Sequence, residues 1–316
     1  MANDNVTLTS AEMGKLWATY TGNTLAKCVL RYCLQHINDQ DIKKVLENAL
    51  HLSESLVKKV KEIFIQENFP IPVGLTDEDV NLGSPRLFFD EFYLHYLKYT
   101  GKAGISIYST AIPIMTRIDI RDFFTETLNS TVKLINEVND LLISKGLYIK
   151  PPQIPTPEKV DFIKKQNYLN GFFGDVRPLH ALEIAHLYDN IENNLVSKAI
   201  LTGFSQVAKN NTIREFFLRG KELTNRHIKI SSQQLHKENL PSSPLLDHLV
   251  TESNLSPFSD KLMLSHKIEM FSMKIRTIGN AISLNGRRDL GGMYAKFLTD
   301  VGLYVEDAAN IMIDQG

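Results

Sequence analysis

The chain has 316 residues, 43% of them hydrophobic, which is enough for two cores of ordinary size. Its 35 basic and 36 acidic residues leave a net charge of −1, so no excess charge favours nucleic acid or an anionic membrane surface. No uninterrupted apolar run approaches the ~18 residues that a membrane-spanning helix needs. We therefore expect neither a nucleic-acid partner nor a membrane span.

The cellular setting is predicted from the first residues and the cysteines. Residues 1–13 lack a basic region followed by an apolar run, so we expect no signal peptide. Cys28 and Cys33 are five positions apart, which turns a helix by about 500° and points the two side chains to different faces. Two buried thiols in a reducing compartment are expected, and hence a soluble cytoplasmic protein.

Helical periodicity dominates the first half of the chain. The pattern predicts four helices, over residues 10–36, from 41 to before 70, from near 85 to about 113, and over 119–146. About fifteen residues separate the second helix from the third, which is long for a helical hairpin. Such a connection allows a bundle with one crossover but leaves a simple up-down bundle open.

The second half repeats this plan. Residues 147–178 mark a boundary, because the segment 150–157 (KPPQIPTP) has the composition of a stiff, extended linker. Four more helices are predicted, over residues 179–209, 212–237, 257–283 and 288–314. We therefore divide the chain into a first four-helix bundle over 1–150 and a linker plus a second four-helix bundle over 151–316.

An internal repeat supports this division. Residues 10–30 match residues 181–201 at an offset of 171, which pairs Glu12 with Glu183 and Asn23 with Asn194. Beyond the loop that follows the second helix of each copy, the offset is 170. The predicted fold is all-α, with two tandem four-helix bundles.

The repeated glutamate lies on a core-facing stripe of its helix. It can pair with the repeated lysine (Lys27 and Lys198), cap a neighbouring chain end, or serve as a metal ligand in the bundle core. A di-iron bundle needs two Glu-x-x-His steps on facing helices, and the sequence contains none.

The second copy carries further candidate ligands. His227 continues an apolar stripe where the first copy has Leu56, and His266 lies among leucines and methionines. Each can be a satisfied core histidine. Alternatively, His266 and Glu306, with Glu222 or His227, can form a metal site for Fe, Mn or Zn. The depth of His227 in the bundle agrees with this site only if the bundle has no crossover.

Several stretches together resemble a family. They are residues 8–17, 119–152, 171–184, 203–210, 256–263 and 287–313. The chain resembles the tandem-repeat, ferritin-like proteins of unknown function from spore-forming Gram-positive bacteria. This resemblance implies two ferritin-like bundles in a cytosolic or spore-associated setting, and it implies no catalytic residues.

Three hypotheses about function follow. The first is a non-catalytic two-bundle protein with a structural or binding role, linked to stress or sporulation. The second is a metal-binding or redox protein with a degenerate ferritin-like site in the second bundle. The third is a protein that holds a small apolar ligand between its helices. Self-association and the identity of a protein partner are left open by the sequence.

Overall fold

The computed structural model describes residues 7–315, and within this range the chain is all α-helical without a β-strand. This confirms the predicted fold class. The eight helices are α1 (Ser10–His36), α2 (Gln40–Gln66), α3 (Asp90–Ala111), α4 (Ile118–Ser144), α5 (Ala181–Val207), α6 (Asn211–Lys237), α7 (Asp260–Ser283) and α8 (Arg288–Gln315). Among the described residues, no helix is long and apolar enough to cross a membrane. Residues 1–6, on which the signal-peptide prediction partly rests, lie outside the described range.

Two predicted helix starts are wrong. Helix α3 begins at Asp90 and not near Pro85. The residues between them are used for other contacts, since the Leu87 carbonyl accepts a hydrogen bond from the Thr251 backbone N–H at 3.0 Å. Proline is common at a helix start, but a helix need not begin there. A start predicted from proline alone is therefore wrong when the residues that follow form hydrogen bonds outside the helix.

Helix α7 likewise begins at Asp260 and not at Pro257. The Pro257 carbonyl accepts a hydrogen bond from Asn81 N at 2.7 Å, and Phe258 forms an isolated antiparallel bridge with Val80. These contacts hold the residues before α7 in an extended conformation. The other six helices begin within two residues of their predicted positions.

Spatial proximity divides the chain into two compact units. The first unit contains the residues up to Tyr148 together with Thr251–His266. The second contains Ile149–Val250 together with the residues from Lys267 onward. The predicted division at residue 150 separates two continuous segments of the sequence, whereas each of these units combines two segments. The division into two domains at residue 150 stays a prediction.

In the first unit, the repeated glutamate joins two helix starts. One oxygen of Glu12 accepts hydrogen bonds from the backbone N–H groups of Thr116 (2.9 Å) and Arg117 (2.8 Å), just before α4. The other oxygen completes a capping box with Thr9 at the start of α1. Burial alone would raise the pKa of Glu12, but these hydrogen bonds outweigh it and lower the pKa to about 2. The predicted capping role is confirmed.

In the second unit, Glu183 has the same role. It accepts hydrogen bonds from Gly286 N (3.1 Å) before α8 and from His180 N (2.9 Å) at the start of α5. Arg177 adds two further bonds of 2.8 Å to the carboxylate. Burial opposes the charge, and the bonds from Arg177 and the backbone overcome it, so the pKa of Glu183 falls to about 2.

Ion pairs between helix ends show how the first bundle is connected. Glu12 joins the starts of α1 and α4, and Arg117 brings Glu67, at the end of α2, to that same end at 2.5 Å. At the opposite end, Lys145 after α4 binds Asp39 before α2 at 2.7 Å. Asp90 at the start of α3 also accepts a hydrogen bond from Asp39 N at 2.8 Å. Helices α2 and α3 therefore run parallel, and their connection crosses the whole length of the bundle.

The second unit has the same topology. Arg287, before α8, binds Glu238 after α6 at 3.2 Å, while Asn210 before α6 binds Gln315 at the end of α8 at 3.1 Å. Because α7 ends immediately before α8, helices α6 and α7 run parallel and require a crossover. One crossover is the connectivity of ferritin-like bundles, and the ferritin-like assignment itself stays a prediction.

Cys28 and Cys33 are both buried and neither forms a disulfide, as predicted. Helices α1–α4 pack an apolar core typical of a four-helix bundle. Its fully buried members include Leu16, Leu46, Val60, Phe64, Ala111, Ile120, Phe124 and Val138. The residues named in the core of the first unit are therefore apolar, as in an ordinary four-helix bundle.

Candidate functional site

The residues predicted to bind a metal lie in different surroundings. His266 belongs to the first unit, where its Nε2 is 2.9 Å from the Tyr96 hydroxyl and the two rings stack with centroids 5.6 Å apart. Glu222 and Glu306, in the second unit, are exposed. Across residues 7–315, no group of three His, Cys, Asp or Glu side chains could hold a metal ion. A site for Fe, Mn or Zn stays a prediction without a ligand geometry to support it.

His227 is the predicted ligand that lies in the core of the second unit. Its imidazole stacks on Phe297 with ring centroids 3.9 Å apart, and its Nε2 is 3.6 Å from Asp300 Oδ2. That distance is too long for a hydrogen bond. Burial, followed by the positive charge of Lys274, lowers the pKa of His227 to about 2. The ring is therefore neutral at physiological pH and packs as an aromatic side chain.

Two lysines that the sequence analysis did not select occupy the same core. Lys267 and Lys274 are seven residues apart on α7, which is two helical turns, so they share one face. Their exposed fractions are 0% and 3%. Both amines approach the ring of Phe271, whose centroid is 4.9 Å from Lys267 Nζ and 5.4 Å from Lys274 Nζ. Lysine is almost never buried to this degree unless it is paired.

The partners of Lys274 extend across the bundle. Its Nζ donates a hydrogen bond to Asn194 Oδ1 at 2.6 Å, and Asn194 Nδ2 donates to Asn190 Oδ1 at 3.1 Å. Ser231 Oγ donates to the same oxygen of Asn190 at 3.2 Å. From Lys274 on α7, a network of neutral polar side chains thus extends through α5 to α6, and none of these side chains carries a negative charge.

Lys267 has weaker partners. Its Nζ donates to Ser197 Oγ at 2.9 Å and contacts Met270 Sδ at 3.3 Å. A hydroxyl and a thioether are neutral, and the thioether is a weak acceptor. Six buried side chains therefore surround the lysine pair or belong to it. We call them the polar layer: Asn190, Asn194, Ser197, Ser231, Lys267 and Lys274.

Within the described residues, the hydrogen-bond partners of the two buried lysines are neutral groups and include no carboxylate. Burial, and then the charge of Lys274, lowers the pKa of Lys267 well below its usual range. Burial also lowers the pKa of Lys274 to about 7, an effect that the negative charge of Asp300 partly opposes. Asp300 itself lies 3.5 Å from the exposed Lys296, so it already has a cationic neighbour. The pKa of Lys274 therefore lies near neutral pH, and burial beside Lys274 disfavours the charged form of Lys267.

The first copy shows that the fold does not need this polar layer. At an offset of 170, Leu97 stands at the position of Lys267 and Gly104 at the position of Lys274. Leu97 is part of the buried core of the first unit. Three further layer positions also differ between the copies: Ala26 for Ser197, Val60 for Ser231 and Thr19 for Asn190. At four of these five positions the first copy has an apolar residue or glycine where the second copy has a polar residue, and at the fifth Thr19 aligns with Asn190.

A signal for the lysines was present in the sequence. Both follow the core-facing spacing of α7, and both align with apolar or small residues of the first copy. Lysine at such a position is easily taken for a solvated side chain, because lysine is usually exposed. Comparison of the two copies, position by position, was the observation that could have found them.

A comparison with known protein families identifies the family of this chain. The model of DUF3231, described as a protein of unknown function, matches residues 1–160 and again residues 168–316. The chain belongs to the DUF3231 family. Two matches confirm that the chain contains two copies of one domain, as the internal repeat predicts.

Other comparisons add little to the DUF3231 assignment. No curated protein matches the chain significantly. A crystal structure described as that of a "putative spore coat protein" from Bacillus halodurans C-125 has 18% sequence identity and a TM-score of 0.43. That likeness covers 48% of this chain and 98% of the other. A similarity at this level carries no argument about function.

Proposed function

We propose that this DUF3231 protein is a non-catalytic binding protein and that the polar layer of its second unit holds a small organic carboxylate. The observation that carries the proposal is the pair Lys267 and Lys274, buried where the first copy has Leu97 and Gly104 and, within residues 7–315, hydrogen-bonded to neutral groups and not to a carboxylate. In this proposal the first unit has a structural role.

The physical argument begins with the cost of burying charge. Moving an ammonium group into a protein core costs several kcal/mol unless a counter-charge compensates it. Leucine and glycine fill the equivalent positions of the first unit, so packing does not require lysine there. An anion bound at Lys274 would supply the missing negative charge and so bind more tightly than it would to a neutral core.

The neighbouring groups suit a carboxylate with a short hydrocarbon chain. Ser197 can turn its hydroxyl from accepting to donating, and Asn194 carries both a donor and an acceptor. The ring of Phe271, which is near both amines, offers an apolar surface to the hydrocarbon part. A small carboxylate therefore fits these groups better than a purely inorganic anion would.

We also infer a cytosolic setting, and the two free buried thiols, Cys28 and Cys33, support it. The link to stress or sporulation implied by the resemblance remains part of this proposal. Expression measured through a sporulation time course tests that link, and a constant level of the protein throughout would argue against it.

Thermal unfolding tests the binding proposal. Succinate is titrated into the full chain at constant ionic strength, with sodium chloride as the control salt. We expect succinate to raise the Tm, because a ligand at 100 times its Kd adds about 2.7 kcal/mol to the stability of the folded state.

Two substitutions make the test specific. Lys274→Met removes the amine that is proposed to bind the carboxylate, and Lys229→Met removes an exposed lysine of α6 as the matched control. We expect the succinate effect to persist in the Lys229→Met variant and to be lost in the Lys274→Met variant. An equal effect in both variants, or no effect in the wild type, would refute the proposal.

A further inference from the structure

We infer that Lys267 is a covalent attachment site, whose amine condenses with the carbonyl group of a small oxo acid while Lys274 binds the carboxylate of the same molecule. The inference rests on the proposed function, because it concerns the same polar layer and names the class of its ligand. It assigns different chemistry to two lysines that look alike in the sequence.

The surroundings of Lys267 favour an uncharged, nucleophilic amine. Its Nζ donates to the Ser197 hydroxyl, contacts the Met270 thioether and lies 4.9 Å from the centroid of the Phe271 ring, and all three groups are neutral. Lys274 lies on the same face of α7, so its positive charge disfavours a second one nearby. A desolvated lysine beside another cation is a recurrent arrangement in proteins that form Schiff bases with carbonyl compounds.

Lys274 differs because it has a stronger partner. The short hydrogen bond to Asn194 Oδ1 holds its amine in place, and Asp300 favours the protonated form. An ammonium ion is the group that a carboxylate binds best among the members of the polar layer. The two Nζ atoms are at most about 10 Å apart, since they lie 4.9 and 5.4 Å from the centre of the Phe271 ring.

The ligand therefore needs a carbonyl carbon at one end and a carboxylate at the other, joined by a short chain. 4-Oxobutanoate meets this description, and its two methylene groups can lie against Phe271. In the condensation, the Lys267 nitrogen forms a bond to the carbonyl carbon, and the carbonyl oxygen leaves as water with the two amine hydrogens. A C=N bond replaces the C=O bond, no electrons are exchanged with a cofactor, and the reaction is reversible.

Reductive trapping tests the inference. The full chain is incubated at pH 7 with 4-oxobutanoate and sodium cyanoborohydride, which delivers a hydride to the imine carbon and makes the adduct permanent. Intact mass and peptide mapping then locate the label. We expect labelling of Lys267 at least about tenfold faster than of any exposed lysine, because an ordinary lysine with a pKa near 10.4 is almost fully protonated at pH 7.

Variants and a second aldehyde test the two roles separately. Lys267→Met and Lys267→Arg should both lose the rapid label, whereas Lys229→Met should keep it. Lys274→Met should reduce the preference for 4-oxobutanoate over the uncharged butanal by about tenfold, which corresponds to about 1.4 kcal/mol. Circular dichroism confirms that each variant is folded, and mapping of the wild type does not depend on any variant.

The outcomes separate this inference from the proposed function. Stabilisation by succinate without rapid labelling of Lys267 would overturn covalent attachment and leave carboxylate binding intact. Labelling spread evenly over exposed lysines would overturn it as well. Rapid labelling of Lys267 by both aldehydes, with no succinate effect, would support the amine chemistry and refute the role of Lys274.

Discussion

Replacing Lys274 with methionine is expected to make the protein more stable. Lys274 is 3% exposed, and its pKa of about 7 in place of 10.5 corresponds to a cost of about 5 kcal/mol for the charged amine. The variant loses the hydrogen bond to Asn194 Oδ1, and a buried acceptor without a partner costs about 1–3 kcal/mol. A net gain of about 2–4 kcal/mol at pH 7 is therefore expected.

The gain should depend on pH in a defined direction. The folded-state pKa of Lys274 is lower than that of the unfolded chain, so between about pH 7 and 10.5 the unfolded state binds more protons. The stability of the wild type therefore rises with pH across this window, while Lys274→Met lacks that contribution. Its advantage should disappear by pH 10, and the lost hydrogen bond should then make it slightly less stable than the wild type.

Urea unfolding at pH 7 and pH 10 measures both effects, with Lys229→Met as the exposed control. The control should change the free energy of unfolding by less than about 0.5 kcal/mol at either pH. If Lys274→Met were destabilised equally at both pH values, the buried amine would be a stabilising element and the argument for a functional polar layer would fail.

Three further predictions concern other residues. Glu183→Gln should lower the free energy of unfolding by about 2 kcal/mol at pH 7. The folded-state pKa of Glu183 lies below its ordinary value of 4.5, so this difference should shrink as the pH falls from 4.5 toward 2, and chemical denaturation across that range checks it. His227→Leu, which introduces the residue of the first copy, should raise the melting temperature, because both ring nitrogens of His227 are buried without a hydrogen bond; a lower melting temperature would show that stacking on Phe297 outweighs that cost. Metal analysis of protein purified without chelator should give equal, near-zero stoichiometry for the wild type and His266→Ala, whereas a metal bound only by the wild type would restore the metal hypothesis.

The helices were largely predictable because their signals are local. Core-facing residues recur with the helical period, and each helix of one copy is predicted independently by its counterpart in the other copy. The starts of α3 and α7 were not predictable. The contacts that delay them, such as Asn81 N with the Pro257 carbonyl, join residues far apart in the chain. The choice between a crossover and an up-down bundle depends on ion pairs between residues that are also far apart in the sequence, such as Arg117 with Glu67.

The site was predictable only in part. The apolar stripe of α6 predicts that His227 faces the core, and the structure confirms it, whereas no pattern within α7 alone predicts the burial of Lys267 and Lys274. Whether a lysine is buried depends on the residues that the other helices place around it, and the sequence of its own helix does not show them. The alignment of Lys267 with Leu97 and of Lys274 with Gly104 does indicate burial, because equivalent positions of a repeat have similar surroundings.

The crossover has a consequence for how each bundle folds. In the first unit, α1 with α2 and α3 with α4 can each form as a local hairpin, whereas contacts between α2 and α3 require closure of a long loop. Val73, in the middle of that loop, is 88% exposed. A proteolytic cut there would convert one chain segment into two complementary helical hairpins, whose association would then depend on their concentration as a dimer does.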